Sequence, residues 1–113
     1  MKYVLLIHDD PKRTEDLTPE YMTFTQSILE SGEMLGGDKL EGAETATSVR
    51  VRDGRTTTTD GPFVETKEVL GGYFLIEADS LDEALEIAAR IPNARDGMVE
   101  VRPIVMREAG VTR

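Results

Sequence analysis

A nearly continuous apolar run opens the chain. Residues 2–8 (KYVLLIH) favour β-structure, and their unbroken apolar character predicts a central strand that is buried on both faces. Pro11 cannot extend a strand ladder, so the strand is expected to end near Asp9. The run from Val4 to Ile7 is too short for a signal peptide or a membrane span, which predicts a cytoplasmic protein with no membrane partner.

Two segments show helical spacing of their apolar residues. The first is expected to start with Thr18 as N-cap and Pro19 in the first turn, and to stop at Gly32. The second begins with a capping box, Ser80 to Glu83, and ends at Pro92. The predicted buried stripes are Tyr21, Phe24, Ile28 and Leu29 in the first helix, and Leu81, Ala84, Leu85 and Ala88 in the second.

Strand patterns fill the rest of the chain. Short strands are predicted at Met34-Leu35, broken by the glycine pair at 36–37, at 73–76 and at 98–105. Residues 47–52 alternate in polarity and predict a half-buried strand with Val49 and Val51 facing inward. Asp53-Gly54 is a strong hairpin signal, so 55–59 is expected to return as the partner strand, inserted on the main sheet.

The order of these elements is β-α-β, a hairpin, then β-α-β. Two such halves predict one ferredoxin-like α+β domain spanning residues 1–113. Both helices would cover one face of the sheet, and no further helix is predicted to cover the other. Because soluble proteins avoid large exposed apolar patches, we expect two copies to pair as a homodimeric α/β barrel.

Composition and charge narrow the range of functions. The 113 residues carry a net charge of −9, which disfavours binding to nucleic acid or to anionic membranes. Arg50, Arg52 and Arg55 cluster near the hairpin turn, either as solvated strand residues or as a local anion site. The chain has no cysteine, which rules out disulfides and thiolate chemistry. Its glycine pairs match no phosphate-binding loop, so no nucleotide cofactor is expected.

Several motifs together resemble one known family. Asp60-Gly61-Pro62-Phe63 is followed by ETKE at 65–68 and LGGY at 70–73, and similar matches occur in the first strand, the hairpin, the second helix and the last strand. This combination resembles the YCII-related proteins, in the branch that carries the Asp-Gly-Pro-Phe motif. The resemblance implies a dimeric, ferredoxin-like α/β barrel, which agrees with the fold predicted above.

The same resemblance implies two classes of function. Some members are small enzymes that act on aromatic degradation intermediates with a histidine–aspartate pair, whose histidine lies on the first helix. Here the closest position is Tyr21, and the chain's single histidine is His8. Members of this branch also resemble proteins encoded beside extracytoplasmic-function sigma factors. That association implies a regulatory dimer with a sigma factor as its partner.

His8 and Asp60 are the candidate catalytic residues. His8 ends a buried strand and is the side chain whose charge changes nearest to neutral pH, which suits a general base. Asp60, or one of the aspartates at 9, 10 and 38, would orient it. The alternatives are structural: a histidine that only hydrogen-bonds at a strand end, and an Asp-Gly-Pro sequence that only forms a turn. A single histidine beside two aspartates is a weak metal signal, so no metal is expected.

Four further residues are candidate ligand contacts. Lys67, between two acidic residues, would bind a carboxylate or phenolate, while Phe63, Tyr73 and Tyr21 would shape the pocket. The first functional hypothesis is therefore a cofactor-independent enzyme that carries out proton transfer or elimination on a small aromatic or anionic molecule. The second is a non-catalytic ligand-binding or regulatory dimer, and the third is a dimer that acts only as an interaction module.

Overall fold

The computed structural model describes residues 1–62 and 67–106. Its main sheet has four antiparallel strands in the order β2-β5-β1-β6: Met34–Lys39, Val69–Glu77, Lys2–Asp9 and Met98–Pro103. Two helices, α1 (Thr18–Glu30) and α2 (Leu81–Ala89), share one core with this sheet. The predicted ferredoxin-like α+β class is confirmed, and the pairing of two copies into a barrel stays a prediction.

The core lies between the helices and one face of the sheet. Alternate residues of the two central strands are buried there: Tyr3, Leu5 and Ile7 in β1, and Phe74 and Ile76 in β5. The rings of Phe24 and Phe74 meet edge to face, with centroids 5.2 Å apart. Because strand side chains alternate, this face contains only every second residue of the apolar runs.

The opposite face of the sheet is only half-buried, which corrects one prediction. Val4 and Leu6 of β1 lie there beside Leu75 and Tyr73 of β5, their antiparallel partners. All four side chains are partly exposed, so β1 is not buried on both faces within a single copy of the chain. Neither helix covers this surface, which we call the open face.

Both predicted helices form, with shifted caps and stripes. In α1 the N-cap is Leu17 without a side-chain cap bond, and the carboxylate of Asp16 instead accepts the Thr18 N–H at 3.0 Å. In α2 the predicted cap is confirmed, because the Ser80 hydroxyl accepts the Glu83 N–H at 3.2 Å. The predicted stripes were wrong in part: Leu29, Leu81 and Leu85 are exposed, and the second stripe contains Ala84, Ile87, Ala88 and Ile91.

The hairpin forms a separate two-stranded sheet. Its strands, β3 (Thr47–Arg52) and β4 (Arg55–Asp60), pair around the Asp53-Gly54 turn as predicted, and both turn residues have positive φ. The prediction that Val49 and Val51 face inward was wrong, since they are 63% and 57% exposed. Alternation correctly identified a strand with two different faces. It could not show that this strand projects away from the core.

The outer strands also differ from their predicted limits. β2 continues through its two glycines instead of breaking there. At Gly37 the strand passes so close to β5 that a Cβ would lie 2.7 Å from the Tyr73 carbonyl oxygen, so this position requires glycine. The last strand was predicted to span residues 98–105, and in the structure it ends at Pro103. Short 3₁₀ turns at Ala43–Thr45 and Pro92–Arg95 complete the connections.

Candidate functional site

Two clefts meet at His8, at the end of β1. The first has a volume of about 680 Å³ and is lined by His8, Asp10, Lys67, Glu68, Asp96, Met98 and Glu100. The second, of about 540 Å³, adds an apolar wall that includes Leu40, Ala43, Pro62 and Leu70. His8 and Glu68 line both clefts. The single histidine of the chain therefore lies at the junction of a charged cleft and a more apolar one.

His8 has a carboxylate partner on the neighbouring strand. Its Nε2 lies 3.2 Å from Oε1 of Glu100. Met98 of β6 is directly opposite His8, and Glu100 lies two residues further along on the same face. When Nε2 carries the proton it donates to Glu100, and Nδ1 then keeps the lone pair that a general base requires. The His8 side chain is 28% exposed, so a small molecule can reach it.

The aspartates next to His8 serve a different group. Both carboxylate oxygens of Asp9 accept hydrogen bonds from Arg13, from Nε at 2.7 Å and from Nη2 at 3.0 Å. Arg13 also pairs with Asp96, and Asp10 accepts the backbone N–H of Lys12 at 2.8 Å. Hydrogen bonds to Asp9 and then Asp96 raise the pKa of Arg13 far above its usual value, and the bond from Arg13 lowers the pKa of Asp96. Asp9 therefore anchors the loop after β1.

Tyr21 belongs to the same supporting network. Its hydroxyl donates to Oδ1 of Asn93, a side chain that is 4% exposed. Burial, and then the nearby charge of Asp9, raise the pKa of Tyr21 to about 12, so the hydroxyl stays protonated at neutral pH. Among the described residues, the linings of the two clefts do not include Tyr21. Its role as a ligand contact stays a prediction.

Asp60 lies at the base of the hairpin and not beside His8 in either cleft lining. It is exposed at the end of β4, where it pairs with Thr47. Gly61 follows with φ of +91°, and its N–H donates to the Ala46 carbonyl at 2.8 Å, closing the hairpin. Pro62 then lines the second cleft. The Asp-Gly-Pro sequence thus has the predicted turn geometry, while the catalytic role of Asp60 stays a prediction.

The other predicted contacts are placed as follows. Lys67 lines the first cleft and is exposed, as an anion-binding residue requires. Tyr73 lies on the open face, between Leu6 and Asp38 of the adjacent strands. Phe63 lies outside the described residues. The structure thus brings His8 and Lys67 to one cleft.

Sequence reasoning missed Glu100, the partner of His8. The orienting carboxylate was expected among four aspartates, at positions 9, 10, 38 and 60. Glu100 is 92 positions away and becomes a neighbour only because β6 pairs with β1. The predicted ferredoxin-like topology contained this signal, since it places the first and last strands side by side.

Two features are absent from the described residues. Within 1–62 and 67–106, no group of three or more histidine, cysteine or acidic side chains is arranged to hold a metal ion. In the same part of the chain, no helix has the length and apolar character needed to cross a membrane.

Comparisons with known proteins agree with this fold. An uncharacterized protein of Rhizobium meliloti, R00369, is 33% identical over an alignment 120 positions long, which covers 97% of each chain. The solved structure of 5-chloro-2-hydroxyhydroquinone dehydrochlorinase from Burkholderia phenoliruptrix, in complex with 2,5-dihydroxybenzoquinone, superimposes with a TM-score of 0.57. It covers 93% of this chain and 94% of its own at 16% identity, a likeness that shows the fold alone. The model of the YCII-related domain matches residues 1–107, and the chain therefore belongs to the YCII-related domain family.

Proposed function

We propose that this protein is a cofactor-independent enzyme in which His8 transfers a proton to or from a small aromatic or anionic molecule. The observation that carries the proposal is the 3.2 Å contact between His8 Nε2 and Glu100 Oε1 at the junction of two open clefts. A histidine oriented by a carboxylate, with its second nitrogen available, is a common general acid–base arrangement. Glu100 takes the orienting role first assigned to Asp60.

The proposed chemistry needs no group beyond these side chains. His8 Nδ1 accepts a proton from a carbon or hydroxyl of the substrate, and Glu100 stabilises the imidazolium that forms. The electron pair left on the substrate either is delocalised over the ring or expels a leaving anion, which is an elimination. His8 then returns its proton to the product or to water.

The clefts support an aromatic or phenolic substrate. Leu40, Leu70 and Pro62 give the second cleft an apolar wall for a ring, and Lys67 in the first cleft offers a positive charge to a phenolate. The structurally similar protein is a dehydrochlorinase of a chlorinated hydroquinone, which is an elimination of the proposed kind. We assign the chain to the Asp-Gly-Pro-Phe branch of the family on residues 60–63 of its sequence.

We further propose that the working form is a homodimer paired through the open face. Val4, Leu6, Leu75 and Tyr73 form a continuous, half-exposed apolar surface at the centre of the sheet. A second copy is the simplest cover, because a self-complementary surface satisfies both subunits at once.

The test combines binding with turnover. In a panel of hydroquinones, chlorinated hydroquinones and 2,5-dihydroxybenzoquinone, we expect at least one compound to shift the NMR signals of the single imidazole and at least one chlorinated compound to release chloride. His8→Gln should abolish chloride release, and Glu100→Gln should reduce it by about 10²–10⁴-fold. Glu86→Gln, at an exposed position of α2, is the matched control and should leave the rate unchanged.

Other outcomes point elsewhere. Full turnover by His8→Gln would refute the catalytic role. Binding without turnover would favour the non-catalytic ligand-binding dimer. If no compound is bound, the regulatory alternative takes precedence, and an extracytoplasmic-function sigma factor becomes the partner to test.

A further inference from the structure

The hairpin of β3 and β4, which we call the arm (residues 47–60), is poorly supported by its own subunit. It forms a separate two-stranded sheet, and all of its residues except Ser48 are exposed. An isolated two-stranded hairpin is marginally stable in water at best. The arm therefore lacks the packing that a stable hairpin needs.

The two faces of the arm have different chemistry. Cross-strand partners share a face, so Val49 and Val51 lie with Thr58 and Thr56 on one side. On the other side Arg52 lies directly opposite Arg55, and like charges in this position destabilise a hairpin. An apolar stripe and an opposed arginine pair are both unfavourable in solvent. The stripe becomes favourable against apolar groups, and the arginine pair becomes favourable where acidic groups lie within reach of the turn.

The rest of the chain is strongly acidic. The arm contains three arginines and two aspartates, and removing them from the chain's 13 basic and 22 acidic residues leaves 10 basic and 20 acidic ones. The first cleft beside His8 combines apolar and acidic groups, because its lining includes Met98, which is 57% exposed, with Asp10, Asp96 and Glu100, besides one cation, Lys67. The arm and this cleft are thus complementary in charge and in apolar character.

Symmetry can bring the two surfaces together. The arm leaves the sheet after β2, an edge strand, at the same end of the sheet as His8, because β5 resumes there with Leu70 opposite His8. Suppose that two copies pair through their open faces and are related by a two-fold axis parallel to the strands. The β2 edge of one copy then lies over the β6 edge of the other, and the same ends of the strands are adjacent in the two copies. Met98 and Glu100 are on β6 at that end.

We propose that the arm of each copy lies in the first cleft of a second copy, with its valine face, including Val51, against the partner's Met98 and with the side chains of Arg52 and Arg55, which flank the turn at the tip of the arm, reaching past that tip to the carboxylates of the cleft. The partner subunit then completes the wall of the His8 site, and the site is incomplete in a single chain. The 19 Å thickness of the molecule corresponds to about one sheet and one helix layer, so the arm is not stacked over the open face of its own subunit. This inference rests on the proposed homodimer.

The experiment uses the absence of cysteine and the single histidine. Val51→Cys chains that carry a nitroxide are mixed with isotope-labelled wild-type chains that carry none. The His8 ring signals come from the wild-type chains, so any broadening of these signals arises between subunits. We expect broadening from this label. The control label at Met22→Cys, on the outer side of α1 and 68% exposed, should give none.

The second measurement is the dimer dissociation constant by sedimentation equilibrium. Val49→Asp should raise it by about tenfold or more, because it places a charge on the face of the arm that the proposed contact buries, whereas Met22→Asp should change it less than about twofold. Arg52→Glu together with Arg55→Glu should also raise it, and this effect should shrink at high salt.

The outcomes separate the arm from the dimer. A dimeric wild type with no His8 broadening from the Val51 label, and with equal dissociation constants for Val49→Asp and Met22→Asp, would overturn the arm contact and leave the open-face dimer standing. A wild type that is monomeric at all concentrations would overturn both. Turnover by that monomer would leave the proposed chemistry intact.

Discussion

Gly97 lies where three parts of the candidate site approach one another, and replacing it with alanine tests how closely they pack. A Cβ at this position would lie 2.6 Å from the His8 carbonyl oxygen, 2.9 Å from the Asn93 carbonyl oxygen and 3.3 Å from Oδ1 of Asp9. The first two atoms are backbone atoms and cannot rotate away. The end of β1 or the turn before β6 must therefore move to accept a methyl group.

The expected cost follows from two contributions. Inserting a methylene into a packed site typically costs about 1–3 kcal/mol. The movement also weakens the hydrogen bond from Gly97 N–H to the Asn93 carbonyl, now 2.7 Å long, which contributes about 0.5–1.5 kcal/mol. We therefore expect Gly97→Ala to lower the free energy of unfolding by about 2–4 kcal/mol, a large part of the roughly 5–15 kcal/mol of a typical domain.

Urea unfolding followed by circular dichroism measures this change, with all variants at one protein concentration because a dimer's stability depends on it. Gly36→Ala is the matched control, since nothing lies within 4 Å of its added Cβ. We expect the control to match the wild type or exceed it slightly, because alanine restricts the unfolded chain. Equal midpoints for Gly97→Ala and Gly36→Ala would refute the close packing described here.

Three further predictions concern the supporting contacts. Because the hydrogen bond from Arg13 lowers the pKa of Asp96, this pair stabilises the fold above the unfolded carboxyl pKa of about 4 and loses that effect as the pH falls through the folded value. Arg13→Gln should thus be less stable than wild type at pH 7 in urea titrations, with a smaller difference near pH 3; an equal difference at both would contradict this. Tyr21→Phe removes the donor to buried Asn93 and should cost about 1–3 kcal/mol. In the wild type, burial raises the pKa of Tyr21 to about 12, so its stabilising effect is present below pH 10 and lost as the pH rises through 12. Ultraviolet titration should show a late phase from the ionisation of Tyr21, and that phase should disappear in Tyr21→Phe. Ser80→Ala should cost about 1 kcal/mol by removing the cap of α2, and unchanged thermal unfolding would exclude that role.

Local patterns predicted those parts of the fold whose causes are local. The capping box at Ser80 and the Asp53-Gly54 turn form as expected, since each depends on a few neighbouring residues. The apolar runs at 2–8 and 73–76 correctly identified the two central strands. The order of these elements was enough to predict the ferredoxin-like class.

The details of burial depended on tertiary packing. Val49 and Leu81 are apolar residues at plausible core positions, yet both are exposed because their elements do not turn them toward the single core. Val4 and Leu6 are half-buried because the sheet has helices on one face only. Periodicity shows that an element has an apolar side, and the arrangement of all the elements decides what that side contacts.

The candidate site divides in the same way. The sequence by itself determined the Asp-Gly-Pro-Phe motif, the single histidine at a predicted strand end and the choice of Lys67 as a candidate contact; that Lys67 and His8 line one cleft came from the structure. Only the tertiary structure decided that Asp9 binds Arg13 and that Glu100, 92 positions away, accompanies His8. The physical reason is that hydrogen bonds depend on distances of about 3 Å in space, and the pairing of β1 with β6 sets that distance for residues that the chain holds far apart.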